Sequence, residues 1–400
     1  MHDRPDDVGG DPARRSLVVV GAGIFGITAA VEMRTRGWHA TVLDPGPVPR
    51  PVAASNDISK VVRVDYGDDE LYTAMGEASL DGWDRWNAEW RTPLYHEDGF
   101  LLLAHDVMQP GGFEHDSYSL LRGRGHAVER LRPGDLERRF PAWSSVRYVD
   151  GYFNPRAGWV ESGAVLARLA EAAVERGVQL ETGAAFEHLL ATGSRVSGVR
   201  TADGRTFHAD IVLAATGAWT PALLPDLDGV MWATGQPVVH FEVPEPGNWQ
   251  APRFPVWAAD ISRTGWYGFP ARDDGTLKIG RHGRGRPVHP DEPRTVLPSE
   301  TAEFREFLAG SLPRLASAPI VGTRLCLYCD TFDGDFWIDH DPRRTGLVVA
   351  AGDSGHGFKF APVLGALIAD VIEGRPNAHA SRFRWRTREV DGKEAARALW

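Results

Sequence analysis

The segment that most constrains the fold of this chain lies near its N-terminus, between Ser16 and Asp44. A short, largely β-branched run at 16–20 is typical of a buried parallel strand. It leads into a glycine-rich turn at 21–26, a helical stretch at 27–36 and a second apolar strand that ends on Asp44. Strand, glycine turn, helix, strand and terminal acid, in this order, predict a βαβ unit that binds a dinucleotide.

Each residue of the turn has a physical role in that prediction. Gly21 permits the tight turn, Gly23 lets the backbone approach a pyrophosphate, and Gly26 allows the helix to pack closely on the strand. The free N–H groups at the N-terminus of the helix are available to phosphates. Asp44 follows Gly21 by 23 positions and is placed to accept a hydrogen bond from a ribose hydroxyl. The alternative is a strand–helix turn that binds nothing.

Two later apolar strands also run into glycine turns. The strand at 209–215 enters Thr216-Gly217, which is typical of a second dinucleotide contact. The strand at 346–351 turns through 352–357 and enters a helix whose apolar residues recur at helical spacing. One nucleotide-binding domain is therefore assembled from separated pieces of the chain, with a second domain inserted between them.

The predicted fold class is α/β, in an α+β arrangement of two domains: a discontinuous Rossmann-like domain and an inserted antiparallel-sheet substrate domain. The Rossmann-like domain is expected to comprise residues 16–95, 153–229 and 319–385. The substrate domain is expected to comprise residues 96–152 and 230–318. Residues 1–15 and 386–400 are predicted to be tails.

Composition limits the possible partners. The 44 basic and 54 acidic residues give a net charge of −10, which disfavours general binding to nucleic acid. The apolar run at 17–33 is broken by three glycines, and the first 15 residues lack the apolar core of a signal peptide. Two cysteines cannot form a disulfide framework. We therefore expect a cytoplasmic protein without membrane contact.

Several motifs occur together and span nearly the whole chain. After the turn at Gly21 they are Ser-Lys-Val-Val-Arg at 59–63 with Tyr-Gly at 66–67, Trp-Tyr-Gly-Phe-Pro at 266–270, Leu-Lys-Ile-Gly-Arg-His at 277–282, Cys-Leu-Tyr at 326–328 with Phe-Trp-Ile-Asp at 336–339, and Gly-His-Gly-Phe-Lys-Phe at 355–360. In this order they resemble the flavin-dependent amine oxidases of the D-amino-acid-oxidase superfamily. The nearest branch contains monomeric sarcosine oxidase, N-methyltryptophan oxidase, pipecolate oxidase and the fructosyl-amine oxidases.

The resemblance implies FAD as the cofactor, so the Rossmann-like domain is expected to be an FAD-binding domain. In this family a cysteine at the position of Cys326 carries a thioether to the flavin ring, which implies covalent FAD here. Cys329 completes a Cys-x-x-Cys pair, a spacing also found in redox and zinc sites. An acidic, turn-like stretch follows the pair instead of a helix, and no second pair exists. Neither a redox pair nor a zinc site is therefore favoured, and no metal site is predicted. Cys329 is expected to be a structural bystander.

The predicted cofactor-binding residues come from the glycine turns and from the family motifs. They are Gly21, Gly23, Ile24, Gly26, Asp44, Ser59, Lys60, Val178, Thr216, Gly217, Cys326, Gly355, His356, Gly357, Phe358 and Lys359.

The resemblance also implies roles around the substrate. Arg63 and Lys359 occupy positions that hold the carboxylate of an amino acid, a task that suits fixed cations. Lys278 occupies the position that supplies positive charge where oxygen is reduced. The alternatives are a surface ion pair for Arg63, a solvated helix start for Lys359 and an exposed strand lysine for Lys278.

Tyr267 and His282 match positions beside the substrate amine, and His356 is expected near the flavin ring. The alternative for Tyr267 and His282 is a hydrogen-bonded core residue. Lys60 departs from the sarcosine oxidase pattern, where an arginine stands, and resembles the fructosyl-amine oxidases instead. Asp68 replaces a glutamate of that pattern. Both departures weaken the case for sarcosine itself as the substrate.

The predicted activity is the flavin-dependent oxidation of the C–N bond of an amino acid to an imine, with O2 reduced to hydrogen peroxide. A secondary, cyclic or N-substituted amino acid is the expected substrate, and the protein is expected to be a monomer. Two alternatives remain: a flavin amine dehydrogenase with a non-oxygen acceptor, and a flavin-binding protein without turnover. The charge at Lys278 argues against the first, and the retained set of site residues argues against the second.

Overall fold

The computed structural model describes residues 15–388 and Arg397. Its strands are, in chain order, β1 (Ser16–Val20), β2 (His39–Asp44), β3 (Lys60–Val62), β4 (Tyr95–His96), β5 (Phe100–Ala104), β6 (Glu129–Arg130), β7 (Asp150–Asn154), β8 (Gly158–Val160), β9 (Gln179–Thr182), β10 (Phe186–Thr192), β11 (Arg195–Thr201), β12 (Thr206–His208), β13 (Ile211–Ala214), β14 (Met231–Glu242), β15 (Val256–Ala259), β16 (Trp266–Gly268), β17 (Thr276–Arg281), β18 (Arg286–Pro287), β19 (Ile320–Thr331), β20 (Trp337–His340) and β21 (Leu347–Ala351).

The α-helices are α1 (Ile24–Thr35), α2 (Glu70–Trp90), α3 (Phe113–Gly123), α4 (Pro133–Arg139), α5 (Ser162–Glu175), α6 (Thr220–Leu223), α7 (Ile261–Thr264), α8 (Pro298–Ser311) and α9 (Ala361–Glu373). Short 3-10 turns lie at Gly217–Trp219, Pro225–Leu227, Pro246–Trp249, Pro313–Leu315, Phe358–Phe360 and Ala380–Arg382.

A six-stranded sheet forms the centre of the first domain, in the order β20-β21-β13-β1-β2-β9. Neighbouring strands are parallel except β20 and β21. β1 is buried on both faces, because Leu17 and Val19 pack into the core formed with α1 and α9, whereas Val18 and Val20 pack towards β11. Burial on both faces explains why its sequence is continuously apolar. The strands come from three separated pieces of the chain, and the predicted fold class is confirmed.

A nine-stranded sheet forms the second domain, in the order β18-β14-β17-β16-β15-β5-β7-β6, with β19 paired to β14. Most neighbours are antiparallel, as predicted, but β5 and β15 are parallel. Large aromatic side chains fill the core between this sheet and α8, among them Trp143, Phe254, Trp257 and Phe307.

The sheets differ from the predicted domain boundaries at β19. The sequence analysis placed this strand in the FAD-binding domain, as part of 319–385, but it pairs with β14 from Phe241 to Met231 in the nine-stranded sheet. β7 likewise extends to Asn154, just beyond the predicted boundary. An apolar run identifies a buried strand but does not specify its partner, which is why the sequence misplaced β19. Cys326 therefore comes from the sheet of the second domain.

The predicted tails lie mostly outside the described residues, which begin at 15 and leave out 389–396 and 398–400. Two described residues of the predicted C-terminal tail are ion-paired near the end of β19. Arg386 pairs with Asp333 at 2.6 Å, and the buried Arg397 pairs with Asp330 at 2.5 and 2.6 Å. No helix in the described part of the chain is long and apolar enough to cross a membrane.

Candidate active site

A cavity of about 390 Å³ opens at the carboxyl ends of β1, β2, β13 and β21. Its wall is formed by backbone at the first glycine turn. Gly21 has a φ of +103°, and a Cβ at this position would lie 2.5 Å from the carbonyl oxygen of Ala215. A Cβ at Gly26 would overlap the carbonyl oxygen of Gly21. The turn therefore requires glycine at both positions, in agreement with the roles inferred from the sequence.

Asp44 lies at the end of β2 and lines the same cavity. One carboxylate oxygen accepts a hydrogen bond from the N–H of Ala22 and the other from the N–H of Gly46, both at 3.0 Å. An ionised carboxylate has about four acceptor positions, so capacity for a ribose hydroxyl remains. The acid both fixes the turn and faces the cavity.

A second cavity of about 80 Å³ adjoins the first. Five residues line both cavities: Lys60, Cys326, Tyr328, Gly355 and Phe358. The second cavity has an apolar part and a polar part. The apolar part is formed by Val61, Phe100, Val238, Ala258, Ile261 and Phe269, and the polar part by Asp57, Ser59, Arg63, Tyr267, Lys278, His282, His356 and Lys359.

Two buried cations, Arg63 and Lys359, line this second cavity, and each is 6% exposed. Arg63 follows β3, and its guanidinium lies 4.8 Å from the ring centre of Tyr66. Lys359 lies in the 3-10 turn before α9 and donates from Nζ to the Tyr66 hydroxyl at 2.9 Å and to the carbonyl of His356 at 3.0 Å. Buried cations favour an anion at the site they face. Arg63 is not a surface residue, and Lys359 is not a solvated helix start.

Lys278, on β17, is also buried rather than exposed. Its Nζ lies 2.6 Å from a carboxylate oxygen of Asp57 and donates to the carbonyl of Ser59 at 2.6 Å. Burial lowers the pKa of Lys278 to about 8, although Asp57 acts to raise it. Burial alone would raise the pKa of Asp57, but the ammonium of Lys278 holds it below its usual range. At neutral pH the two groups form a buried ion pair beside the cavity.

A group of hydrogen-bonding side chains lines the same space from β16, from the residue that follows β17, and from β19. Tyr267 lies opposite Gly280 on neighbouring strands, and Tyr328 is the hydrogen-bond partner of its hydroxyl. Nδ1 of His282 lies 3.4 Å from the Tyr328 hydroxyl. Burial raises the pKa of both tyrosines, so both hydroxyls keep their protons at neutral pH.

His356 lies at the inner wall, in the turn between β21 and α9. Its Nε2 lies 3.0 Å from the carbonyl oxygen of Gly334, and its Nδ1 lies 3.1 Å from the Tyr66 hydroxyl. Both ring nitrogens of His356 therefore have a hydrogen-bond partner, and one of these partners, Tyr66, also contacts Lys359.

Comparison with known protein families decides which class of protein carries this pair of cavities. Residues 16–371 match the family described as FAD dependent oxidoreductase, or DAO. The chain belongs to this family. It is therefore an FAD-dependent oxidoreductase, and the resemblance inferred from its motifs is confirmed.

Individual relatives cover almost the whole of this oxidoreductase. It is 28% identical to L-saccharopine oxidase of Schizosaccharomyces pombe, over 96% of this chain and 95% of that protein. It is 26% identical to monomeric sarcosine oxidase of Bacillus sp. (strain B-0618), over 92% of this chain and 94% of that protein. The structure of the deglycating fructosamine oxidase Amadoriase II of Aspergillus fumigatus, in complex with FSA, superimposes with a TM-score of 0.81 at 26% identity, over 94% and 91% of the two chains.

The first cavity fits the FAD of this family. Its glycine turn leaves no room for a Cβ, so the backbone can approach a pyrophosphate closely. Most predicted cofactor-binding residues line one of the two cavities. Gly21, Gly23, Ile24, Asp44, Lys60, Thr216, Gly217, Cys326, Gly355 and Phe358 line the first, whereas Ser59, His356 and Lys359 line the second.

Three predicted cofactor-binding residues line neither cavity. Gly26 and Gly357 permit close packing instead, and a Cβ at Gly357 would lie 2.8 Å from the ring of Phe25. Val178 is buried before the first residue of β9, at the amino end of the strand, whereas the cavity lies at the carboxyl end. Four residues of strand separate those ends by about 13 Å. The structure therefore does not bring Val178 to this cavity, and Ala184 and Ala185 line it there instead.

Cys326 and Cys329 are both free and buried, but they lie in different surroundings. Cys326 lines both cavities, whereas Cys329 packs in the core with its sulfur 3.9 Å from that of Met231. Side chains three positions apart on a strand point to opposite faces, which disfavours a disulfide between them. Within residues 15–388 and at Arg397, no group of three His, Cys, Asp or Glu side chains is placed to hold a metal ion.

Several residues of the second cavity were not assigned a role from the sequence. Tyr328 had a usable signal, because it follows Cys326 by two positions on one strand and therefore shares its face. Asp57 had none, and Tyr66, which lies behind the wall of this cavity, was named only as part of the Tyr-Gly motif. Each meets its lysine only after distant segments come together. Phe100, Ala258 and Ile261 likewise reach the cavity through the pairing of β5 with β15.

Proposed function

We propose that this oxidoreductase oxidises the C–N bond of a secondary or cyclic amino acid to an imine, and that O2 is reduced to hydrogen peroxide. Two electrons and two protons leave the CH–NH unit of the substrate, and O2 takes up both. FAD, when bound, would accept the electrons from the substrate and deliver them to O2. The observation that carries the proposal is the small second cavity, which adjoins the dinucleotide cavity and holds two buried cations and a buried Lys–Asp pair.

Arg63 and Lys359 are proposed to bind the substrate carboxylate. Both cations are already desolvated, so an anion between them gains strong, directional interactions. Tyr267 and His282 are proposed to hold the amine, because both residues line the same cavity. The substrate is then fixed at both its carboxylate and its nitrogen, which orients the carbon between them.

Lys278 is proposed to supply fixed positive charge where negative charge develops on oxygen. Its ion pair with Asp57 keeps the ammonium oriented in a region that water does not reach freely. This role favours an oxidase over a dehydrogenase that uses another acceptor.

The dimensions of the cavity support a compact substrate. Its volume of about 80 Å³ is far below that of the adjoining cavity, and one side is apolar. N-methyl amino acids and cyclic imino acids of the proline or pipecolate type match these features. A fructosyl-amino acid would add several hydroxyl groups, for which the apolar side offers no partners.

The test uses purified holoenzyme and a panel of sarcosine, other N-methyl amino acids, proline, pipecolate, saccharopine and a fructosyl-amino acid. Bleaching of the flavin without air, followed by oxygen consumption and peroxide formation in air, supports the proposal. A flavin that is bleached but stays reduced in air would identify a dehydrogenase. A flavin that none of these amines bleaches would favour a binding protein without turnover.

We also propose that Cys326 carries FAD through a thioether, because its buried side chain lines both cavities. Acid precipitation should leave the yellow colour in the protein pellet, and Cys326→Ala should release it into the supernatant. Cys329→Ala is the matched control and should retain the colour. Release of flavin from the unmodified protein would refute the covalent link. The monomeric state and the cytoplasmic location stay predictions from the sequence.

A further inference from the structure

Tyr66 contacts both of the cations that are proposed to bind the substrate carboxylate. The guanidinium of Arg63 lies 4.8 Å from its ring centre, and Nζ of Lys359 lies 2.9 Å from its hydroxyl. Tyr66 is only 2% exposed and does not line either cavity. It therefore supports the two cations from behind the cavity wall.

The directions of the hydrogen bonds are set by His356. The carbonyl of Gly334 can only accept, so Nε2 of His356 donates to it at 3.0 Å. In the neutral ring Nδ1 then accepts the hydroxyl proton of Tyr66, at 3.1 Å. A lone pair of the Tyr66 oxygen is left to accept from Lys359. The chain of donors runs from Lys359 through Tyr66 and His356 to the carbonyl of Gly334.

Aromatic packing holds the ring of Tyr66 in place. It stacks on Tyr72 with ring centres 5.0 Å apart and an angle of 17°, and it packs against Phe360 at 5.8 Å. The adjacent acid, Asp65, is fully buried, accepts a hydrogen bond from Tyr152 at 2.5 Å, and has its pKa raised by burial. Tyr66 contacts both cations and is itself uncharged.

An uncharged support has a specific electrostatic consequence. A tyrosine stabilises one cation through its ring face and the other through its hydroxyl oxygen, but it does not neutralise either. A carboxylate in the same place would pair with both cations and compete with the ligand. Tyr66 thus offsets the repulsion between the two positive charges that it contacts without neutralising either of them.

We propose that Tyr66 is a positioning residue that fixes Arg63 and Lys359 as one carboxylate-binding unit. The proposal rests on the proposed function only for the nature of the ligand, an amino acid carboxylate. It does not require Tyr66 to touch the substrate or to take part in proton transfer.

The experiment measures binding and turnover separately in Tyr66→Phe holoenzyme. Pyrrole-2-carboxylate is a suitable probe, since its aromatic ring cannot be oxidised to an imine and its binding is followed by the flavin spectrum. We expect its Kd to rise about tenfold, the factor for one hydrogen bond to a charged group. The KM for the amino acid substrate should rise by a similar factor, with kcat within about twofold of the parent value. Tyr66→Leu, which also removes the ring, should weaken binding further.

Tyr72→Phe is the matched control, because it deletes a buried hydroxyl from the ring stacked on Tyr66. It should leave both Kd and KM unchanged. An equal loss in Tyr72→Phe would show general loosening of the aromatic cluster and overturn the proposal, as would unchanged probe binding in Tyr66→Phe. Failure of the unmodified protein to bind the probe would overturn it too. If the probe binds and Tyr66→Phe weakens it, but no amino acid is oxidised, the proposed function fails and the positioning role stands.

Discussion

The two adjoining cavities differ in what forms their walls: mainly backbone in the first and mainly side chains in the second. The cofactor cavity is bounded by backbone, at glycine turns that follow parallel strands. The second cavity is bounded by buried charged and aromatic side chains from the nine-stranded sheet, from the segment around β3, and from the turn after β21. Its key pairs join distant parts of the chain: Lys278 and Asp57 are 221 positions apart, and Lys359 and Tyr66 are 293 apart.

This contrast determines how each cavity should fail. At the glycine turns of the first cavity, backbone lies against backbone, so even one added methyl group would displace the turn. Where charges are buried in pairs, the sensitive quantity is the charge of each partner, and a substitution of similar size has a large effect. Substitutions chosen for size should therefore damage the first cavity, and substitutions chosen for charge should damage the second.

The largest effect is expected from Gly26→Ala. The new Cβ would overlap the carbonyl oxygen of Gly21, so the helix or the turn must move and the phosphate-binding backbone is displaced. We expect this variant to be purified without flavin, measured as the ratio of flavin absorbance to protein absorbance.

Gly123→Ala is the matched control for that experiment. Gly123 ends α3, and a Cβ there would meet no atom within 4 Å. This variant should retain its flavin and gain up to about 1 kcal/mol of helix stability. Normal flavin content in Gly26→Ala would show that the turn tolerates a side chain and would remove the steric argument.

The same contrast explains what could be predicted from the sequence. The turn from Gly21 to Asp44 is local, and its glycines are needed by the backbone itself, so its order of elements predicted both the fold class and the cofactor cavity. Val178 precedes the amino end of β9, whereas ligands of parallel sheets bind at the carboxyl ends of the strands, so the order of elements disfavours it as a cofactor contact. β19 was assigned to the wrong sheet because an apolar run does not specify its partner strand.

The second cavity was predictable only through the family motifs. The motifs named Arg63, Lys278 and Lys359, and the structure brings all three to one cavity, although their roles stay predictions. The motifs assigned no role to the side chains that support them. Asp57 and Tyr66 act on partners more than 200 positions away, and no local pattern records such a pairing.

The second largest effect is expected from Lys278→Met, which keeps the length of the side chain and removes its charge. Reoxidation by O2 should slow by about two to three orders of magnitude, the usual effect of removing one group that stabilises developing charge. Reduction of the flavin by substrate without air should change much less. Stopped-flow absorbance of the flavin measures both half-reactions.

A second variant separates loss of charge from local damage. Lys278→Met leaves the buried carboxylate of Asp57 without its ammonium partner, which should cost about 3–5 kcal/mol of stability. The double variant with Asp57→Asn should recover much of that stability but still be reoxidised slowly. Equal slowing of both half-reactions, or rapid reoxidation in the double variant, would contradict the role given to Lys278.

The smallest effect concerns pH and tests whether the Lys278–Asp57 pair acts electrostatically. The pKa of Lys278 is lowered to about 8, so its ammonium loses its proton as the pH rises through that value. If the ammonium promotes the reduction of O2, the rate constant of reoxidation should be highest below pH 8 and fall above it. The rate constant of flavin reduction by substrate depends on other titratable groups and should not change with the same midpoint.

The Asp57→Asn variant tests in which direction the midpoint of reoxidation moves. The carboxylate attracts the ammonium and raises the pKa of Lys278, so its removal should move the midpoint of reoxidation to lower pH. A shift of about one unit corresponds to about a tenfold lower rate above the midpoint. Asp226→Asn, which removes the same charge from an exposed ion pair with Arg343, should leave the midpoint in place. A midpoint that stays fixed or rises in Asp57→Asn would mean that shape, and not charge, governs the second cavity as it does the first.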